Sequence, residues 1–353
     1  MSEPALVKAL PDSVKHDLIA VAWEYNPHPK GFDKWLTPYT DAGMETWVAS
    51  GVNNWSRVFP NNNMALANIQ GFVRDGQKLG STGMLNTVWN DDGEGLFDMD
   101  WYGVLFGAAA SWQPGESSIP QFERSYGSVF HGDATGDLDQ AQIEMMAAHQ
   151  LIKDNTKLGD LSDGLFWIDP WSKDGAIMAA QIRPYLRDMR LHAERALVLI
   201  AQARAAQPLR ETDAVDALEL GARRADFIGL KFELADEMAA SYQLAYSLQS
   251  QTDKRKDVSR ALGDINGANG RCQDMRDGYS LLRDGYEQVW LRENRPYWLH
   301  NVLARYDQST QLWLNRIDQF RSAQRQWQTT HTLPSPAELG IPKPEATTPA
   351  PPL

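Results

Sequence analysis

The chain has 353 residues, 42% of them hydrophobic, which is enough for two globular domains with real cores. Its 34 basic residues stand against 46 acidic ones, and the net charge of -12 argues against a protein that follows a nucleic-acid backbone. A lone Cys272 excludes an internal disulfide and a cysteine-ligated metal, and neither a signal peptide nor a membrane-spanning stretch is predicted.

Three short apolar runs in the first hundred residues predict buried parallel strands, at 18–23, 45–49 and 84–89. Segments with a helical pattern lie between and after these runs, at 32–41, 64–79 and 101–111. Alternating strands and helices are typical of βαβ units. The sequence therefore predicts an α/β domain in the first part of the chain.

From residue 138 onward the strand-like runs stop, and apolar residues recur at spacings of three and four. This pattern predicts a second, all-helical bundle domain, in which Pro184 kinks one helix. His192 lies on the apolar stripe of that helix and is predicted to be a packed core histidine. The proline-rich residues 329–353 are predicted to form an extended, largely disordered tail.

Each predicted strand ends in the same kind of cluster, with indole rings beside carboxylate or amide groups. The members are Trp23, Glu24, Tyr25 and Asn26, then Asn53, Asn54 and Trp55, then Trp89, Asn90, Asp91, Asp92 and Glu94. In a β/α barrel the loops at the carboxyl ends of the strands form the active site, so these side chains would converge on one pocket. An indole stacks on the apolar face of a sugar ring, while acids and amides bond its hydroxyls for roughly 1 kcal/mol each. The clusters therefore predict a sugar-binding site.

Simpler interpretations of the same residues remain open. Any single Trp is equally compatible with a core residue at a strand end. The acidic stretch from Asp91 to Glu94 also fits a solvated turn or the N-terminus of a helix, and its spacing fits no calcium loop. The recurrence of such a cluster on three successive strands favours the functional interpretation. We predict no cofactor and no metal site.

Two of these strand ends resemble a known family. The segments "AVAWEY" and "TVWNDDGE" look like strands of the catalytic barrel of glycoside hydrolase family 20, the β-N-acetylhexosaminidases. The later helices, with "WLRENRPYWL", are similar to a helical domain that a bacterial branch appends to its barrel. The resemblance covers nearly the whole chain. It implies the C-terminal portion of a (β/α)8 TIM barrel at 1–132, a helical bundle at 133–328 and a tail at 329–353.

The resemblance also implies roles for single residues. Trp89 would stack on N-acetylglucosamine in the -1 subsite, and Asp91 would hydrogen-bond its outer hydroxyls. Trp23 would help to wall the acetamido pocket. Trp55 and Asn53 lie where the family often offers an aromatic ring and a donor to the acetamido oxygen, although the Tyr common there is not evident.

The largest departure from the family concerns its catalytic acids. Family members cleave by substrate assistance, in which the acetamido carbonyl attacks the anomeric carbon, an Asp steers it and an adjacent Glu protonates the leaving oxygen. That pair ends an earlier strand, which this sequence lacks, and a full barrel takes about 250 residues. We therefore expect an open sheet edge and a partly uncovered core. There are then three possibilities. The chain would be a truncated reading frame, or it would pair with a second chain or missing N-terminal half that completes the barrel, or it would dimerise through the open edge of its sheet.

The sequence thus predicts a glycosidase, or a fragment of one, acting on terminal β-linked N-acetylhexosamine by retaining hydrolysis. The alternative is a non-catalytic carbohydrate-binding or protein-interaction protein whose working surface is the helical domain. The expected ligand is an N-acetylhexosamine-containing glycan, and neither nucleic acid nor a membrane is expected as a partner. Full-length members of the family that it resembles are usually exported.

Overall fold

The computed structural model describes residues 3–342. These residues form two compact units. The first unit comprises residues 3–151, 160–162 and 192–222, and the second comprises 152–159, 163–191 and 223–342. The change of residue pattern at residue 138 lies within the first unit.

A small parallel sheet organises the first unit, with its strands in the order β1-β2-β3. The strands are β1 (Ile19–Trp23), β2 (Glu45–Gly51) and β3 (Gly83–Thr87). All three apolar runs therefore form strands, as predicted. The third strand ends two residues before Trp89, so this indole lies in the loop that follows the strand.

Helices connect and follow the strands of the first unit. They are α1 (Glu3–Ala9), α2 (Asp12–Lys15), α3 (Asp33–Thr40), α4 (Asn62–Lys78), α5 (Trp101–Trp112), α6 (Ile119–Glu123) and α7 (Asp137–Asn155). The longest crossover helix, α4, begins where the Asn61 side chain accepts a hydrogen bond from the Met64 N–H at 3.2 Å. Its apolar side, including Ile69 and Phe72, packs in one core with Val48 of β2.

The sheet is covered by helices on one face only. Ile19, Val21 and Trp23 of β1 and Leu85 of β3 point to the other face and are exposed. The prediction of buried strands is therefore wrong for β1 and β3 and holds for most of β2. An apolar run has the same pattern whether both faces of a strand are covered or one is bare, so the run alone could not distinguish the two cases.

All secondary-structure elements between residues 163 and 330 are helices. Their bounds are α8 (Asp163–Trp167), α9 (Lys173–Ile182), α10 (Leu186–Ala206), α11 (Thr212–Leu248), α12 (Arg255–Asn266), α13 (Arg271–Glu293) and α14 (Leu299–Thr330). Helices α13 and α14 pack along each other in the second unit. The chain thus combines an α/β part with an all-helical part. Near Pro184 a short 3-10 turn at 183–185 separates α9 from α10, because proline lacks the N–H that a continuous helix needs.

His192 does not occupy a core position. Its side chain is partly exposed, and its Nδ1 lies 2.6 Å from the Glu144 carboxylate. The buried stripe of α10 runs instead through Met189, Ala193 and Ala196. An apolar stripe at alternating spacings of four and three drifts around a straight helix of 3.6 residues per turn, so the position between Met189 and Ala196 that is buried is Ala193 and not the neighbouring His192.

Part of the predicted disordered tail is ordered. Leu333 is buried, the Tyr242 hydroxyl donates to the Pro334 carbonyl at 2.9 Å, and the Gln243 amide donates to the Pro342 carbonyl at 2.8 Å. Residues 331–342 therefore pack against α11 in spite of their prolines. Residues 343–353 of the predicted tail lie outside the described part of the chain.

Within residues 3–342, no helix combines the length and the apolarity that crossing a bilayer would require.

Candidate functional site

The ends of all three strands meet at the carboxyl edge of the sheet. Trp23, the last residue of β1, is in register with Ala49, and Gly51, the last residue of β2, is in register with Thr87 at the end of β3. Trp23 ends β1, and the loops that leave this edge carry the other candidate residues that the sequence indicated. The structure therefore brings the three predicted clusters to one side of the first unit.

Four aromatic rings form a ring cluster at this edge, made of Trp23, Tyr25, Trp55 and Trp89. Tyr25 lies at its centre, with ring centroids 5.6 Å from Trp23, 5.1 Å from Trp55 and 6.4 Å from Trp89. Trp23 is 60% exposed and Trp89 is 45% exposed. The indoles are therefore neighbours on one accessible surface and do not point into separate interiors.

Hydrogen bonds fix Trp89 at both its side chain and its backbone. The indole N–H lies 3.0 Å from the Tyr25 hydroxyl oxygen and 3.0 Å from the Thr87 hydroxyl oxygen. The Trp89 backbone N–H donates to the Asn54 side-chain oxygen at 3.1 Å. The Asn54 amide in turn donates to the buried Asp100 carboxylate at 3.1 Å. The polar edge of the indole is thus occupied by the protein, while its ring remains partly exposed.

Gly51 makes room for the ring cluster. A Cβ atom at this position would lie 3.0 Å from the Tyr25 ring, and 3.2 Å from both the Thr87 hydroxyl and the Trp55 ring. Such distances are tighter than ordinary van der Waals contact. The absence of a side chain at the end of β2 therefore lets the two rings lie against the backbone.

Asn53 supports the loop and does not present its amide group to solvent. It is buried and has a left-handed backbone with φ of 54°. Its amide nitrogen donates to the backbone carbonyls of Tyr25 at 3.2 Å and Gly51 at 3.3 Å. Because an amide nitrogen has two hydrogens, these two bonds use both, and Asn53 is better described as a residue that positions Tyr25.

The carboxylate of Glu24 also faces its own loop. Its Oε1 accepts hydrogen bonds from the backbone N–H groups of Tyr25 and Asn26 at 2.9 and 2.8 Å, and its Oε2 lies 3.3 Å from His28 Nε2. Burial by itself raises the pKa of Glu24, but hydrogen bonds from Asn26, His28 and Tyr25 outweigh it and hold the pKa below its usual value. Glu24 is therefore ionised, and its carboxylate stabilises the conformation of its own loop.

The acidic loop after β3 divides into exposed and buried positions. Asp91 is exposed, Asp92 is partly buried and Glu94 is buried. The loop closes where the Asn90 side-chain oxygen accepts the Gly95 N–H at 2.7 Å. Of the three predicted acids, Asp91 is the one whose side chain is most available to a ligand in solution.

A buried polar cluster lies behind Trp55. The Arg57 guanidinium lies 5.5 Å from the Trp55 ring centroid and bonds the Asp160 carboxylate at 2.5 Å. Asp160 also accepts a hydrogen bond from the Asn61 amide at 3.1 Å. Burial raises the pKa of Asp160, but the charges of His149 and Arg57 and the hydrogen bonds from Arg57 and Asn61 together lower it below its usual value. The cluster therefore holds a charged pair beneath one wall of the site.

Asp100 was not among the residues that the sequence indicated, and for Tyr25 and Asn54, which belong to the predicted strand-end clusters, no individual role was predicted. Tyr25, Asn54 and Asp100 supply the central ring and the hydrogen bonds that hold Trp89. Tyr25 and Asn54 lie within the strand-end clusters, so their composition carried the available signal. Asp100 is separated from Asn54 by 46 positions in the sequence, and only the fold brings the two side chains together.

The fold and the site define an α/β unit with an aromatic, partly acidic surface at the carboxyl edge of a parallel sheet, together with an all-helical unit. No protein-family model and no curated protein matches the chain.

Proposed function

We propose that the first unit is a sugar-binding segment of a β/α barrel of the family 20 type, acting on terminal β-linked N-acetylhexosamine by substrate-assisted retaining hydrolysis. The observation that carries the proposal is the ring cluster, in which indoles from three strand ends surround Tyr25. Three separate core residues would not share one exposed surface. A pyranose can stack its apolar face on an aromatic platform of this kind.

The polar groups beside the rings support a sugar as ligand. Trp89 offers a partly exposed ring whose orientation is set by its hydrogen bonds to Tyr25 and Thr87. Asp91 is an exposed carboxylate two residues further along the same loop. One loop would therefore bind both the apolar face and the hydroxyls of the sugar, with Trp89 stacking on the sugar and Asp91 accepting hydrogen bonds from it.

The geometry of the sheet favours a barrel segment over a doubly wound sheet. Its strands follow one another in chain order, and α3, α4 and α5 pack on the same side of it. A doubly wound sheet would have helices on both faces. The bare face with Val21 and Leu85 corresponds to the interior of a barrel, where side chains from other strands would pack.

We further propose that additional strands, from a second chain or from a segment preceding this one, pair with β1 and β3 and cover the bare face. In the described residues each of these strands pairs with β2 alone. The Asp and Glu that substrate assistance requires would be supplied with those strands, since they end an earlier strand in the family that the chain resembles.

Replacing Trp89 by Ala is expected to weaken binding of N,N′-diacetylchitobiose by roughly 1 to 3 kcal/mol, a rise in Kd of about 5- to 150-fold, because the stacking platform is lost. Isothermal titration calorimetry measures this change. Trp112→Ala is the matched control, because Trp112 is 92% exposed on α5 and lies outside the ring cluster. Equal affinities for the two variants would refute the sugar site.

The purified chain alone is expected to show no turnover of a chromogenic N-acetylglucosaminide, because the proposed acid pair belongs to the added strands. Turnover should appear when a complementing fragment that carries those strands is mixed with it, and it should be lost again with Trp89→Ala. Robust turnover by the chain alone would contradict the proposed origin of the catalytic acids.

A further inference from the structure

An open groove of ≈ 580 Å³ lies between α11 and α13 in the second unit. Its base is apolar, with Leu230 and Leu234 from α11 and Leu281 from α13. Leu281 is 68% exposed, so most of its side chain is accessible to a partner. The two helices meet below it at Gly278, where an added Cβ would lie 2.2 Å from the Phe227 ring. The groove is therefore a shallow apolar channel with a closed floor.

Acidic side chains line the α13 side of this groove. Asp274, Asp277 and Asp284 fall on the same face of α13 as Leu281, at helical spacings of three, four and seven residues. The face extends over about 15 Å at the rise of an α-helix. Neither Lys nor Arg contributes to the lining of this groove. Its rim is therefore negative along about three turns.

Nearby arginines cancel this charge only in part. Arg276 pairs with Asp277 at 2.7 Å. Arg283 lies between three carboxylates, 3.6 Å from Asp284, 3.3 Å from Glu287 and 2.8 Å from Asp307. One guanidinium cannot neutralise three carboxylates, so an excess of negative charge remains beside the groove.

We propose that this groove binds an amphipathic helix of another protein, with Leu-like side chains on one face and Lys or Arg beside them. The apolar base would accept side chains at positions i, i+4 and i+7 of that helix, and the three aspartates would pair with its cationic flanks. An acidic partner is disfavoured by repulsion from the rim. The inference concerns the second unit and does not depend on the sugar site.

The test uses the full chain and two fluorescein-labelled synthetic peptides of the same length. One has Leu on one helical face and Lys on the other, and its partner has each Lys replaced by Glu. Fluorescence anisotropy is expected to show saturable binding of the Lys peptide that weakens as salt is added, and no binding of the Glu peptide. Absence of binding, or equal binding of both peptides, would overturn the proposal.

Variants locate the binding on the chain. Leu281→Ser is expected to raise the Kd of the Lys peptide at least about tenfold, because it removes the central apolar contact of the groove. Leu244→Ser is the matched control, since Leu244 is also an exposed leucine, 56% accessible on α11 but outside the groove. Both leucines are exposed, so both variants should keep the wild-type thermal unfolding midpoint. The same rise in Kd for both would mean non-specific association and would reject the groove.

The acidic rim is tested in the same way. The double variant Asp277→Asn and Asp284→Asn is expected to raise the Kd at low salt and to flatten its dependence on salt. Asp318→Asn, at an exposed position outside the groove, should leave both unchanged. An unchanged salt dependence in the double variant would show that the aspartates do not bind the peptide.

Discussion

Replacing Lys231 by Met is expected to lower the free energy of unfolding of the second unit by about 3 kcal/mol. Lys231 is fully buried, and its ammonium group donates to the carbonyl oxygens of Leu165 at 2.7 Å, Phe166 at 2.8 Å and Ile168 at 2.8 Å. These carbonyls lie at the end of α8, where a helix has no donors of its own. A cation also interacts favourably with this end of a helix.

The size of the effect follows from the partners that would remain. Phe166 would keep one donor, since the Tyr279 hydroxyl also bonds its carbonyl at 2.7 Å, whereas Leu165 and Ile168 would lose the donor that Lys231 supplies. Each buried carbonyl without a donor costs about 1 to 3 kcal/mol. Burial lowers the pKa of Lys231 well below its usual range, so removing this group also removes a desolvation cost and offsets part of the loss.

Denaturation with urea, followed by far-ultraviolet circular dichroism, measures the change. Lys256→Met is the matched control, because Lys256 is exposed on α12 and its replacement should change the free energy of unfolding by less than about 0.5 kcal/mol. If the Lys231 variant unfolded at the same urea concentration as the Lys256 variant, the three hydrogen bonds would have no net stabilising effect.

The titration of His149 is expected to lower the free energy of unfolding of the first unit by about 3 kcal/mol as the pH falls from about 6.5 to about 4. His149 is fully buried beside Asp160 and Arg57, and burial lowers its pKa to about 4. The charge of Asp160 opposes this shift, while that of Arg57 adds to it. Between these two pH values the unfolded chain binds a proton that the folded chain does not, so acidification favours unfolding.

The effect of His149 is isolated by comparing the wild type with His149→Leu across this pH range. The difference between their free energies of unfolding should change by about 3 kcal/mol, with the variant losing less stability as the pH falls. His131, whose pKa burial also lowers, is present in both proteins and cancels in the difference. His300→Leu, at an exposed position, should follow the wild type. Parallel pH profiles for the wild type and the His149 variant would contradict the expected titration.

The sequence was sufficient to predict the three strands of the first unit and its helices α3, α4 and α5, but not how the sheet is covered. The apolar runs and the helical segments between them led to three strands and their crossover helices, because period and composition are local properties. Whether Val21 meets another side chain or solvent depends on which elements lie over the sheet. That property is not local, and it separates a buried strand from one with a bare face.

For the candidate site, too, some properties could be predicted from the sequence and others could not. Trp23, Trp55 and Trp89 were predictable because each lies at or just after the end of an apolar run, and the carboxyl ends of neighbouring parallel strands meet at one edge of the sheet. The roles of Glu24 and Asn53 were not predictable, because nothing in the residue type indicates whether a polar group points outward or bonds its own loop. The packing of parallel strands can be inferred from pattern, but the direction of a polar side chain requires coordinates.

The attachment of Trp89 has a thermodynamic consequence for any ligand that stacks on it. Its indole N–H is held between the hydroxyls of Tyr25 and Thr87, and its backbone N–H is held by Asn54, before a ligand arrives. A mobile indole would lose rotational entropy when a ligand immobilised it, at a cost of about 0.5 to 1.5 kcal/mol for a side chain with several rotamers. In this protein that loss of entropy has already occurred during folding, so a ligand that stacked on Trp89 would not have to supply the free energy for it.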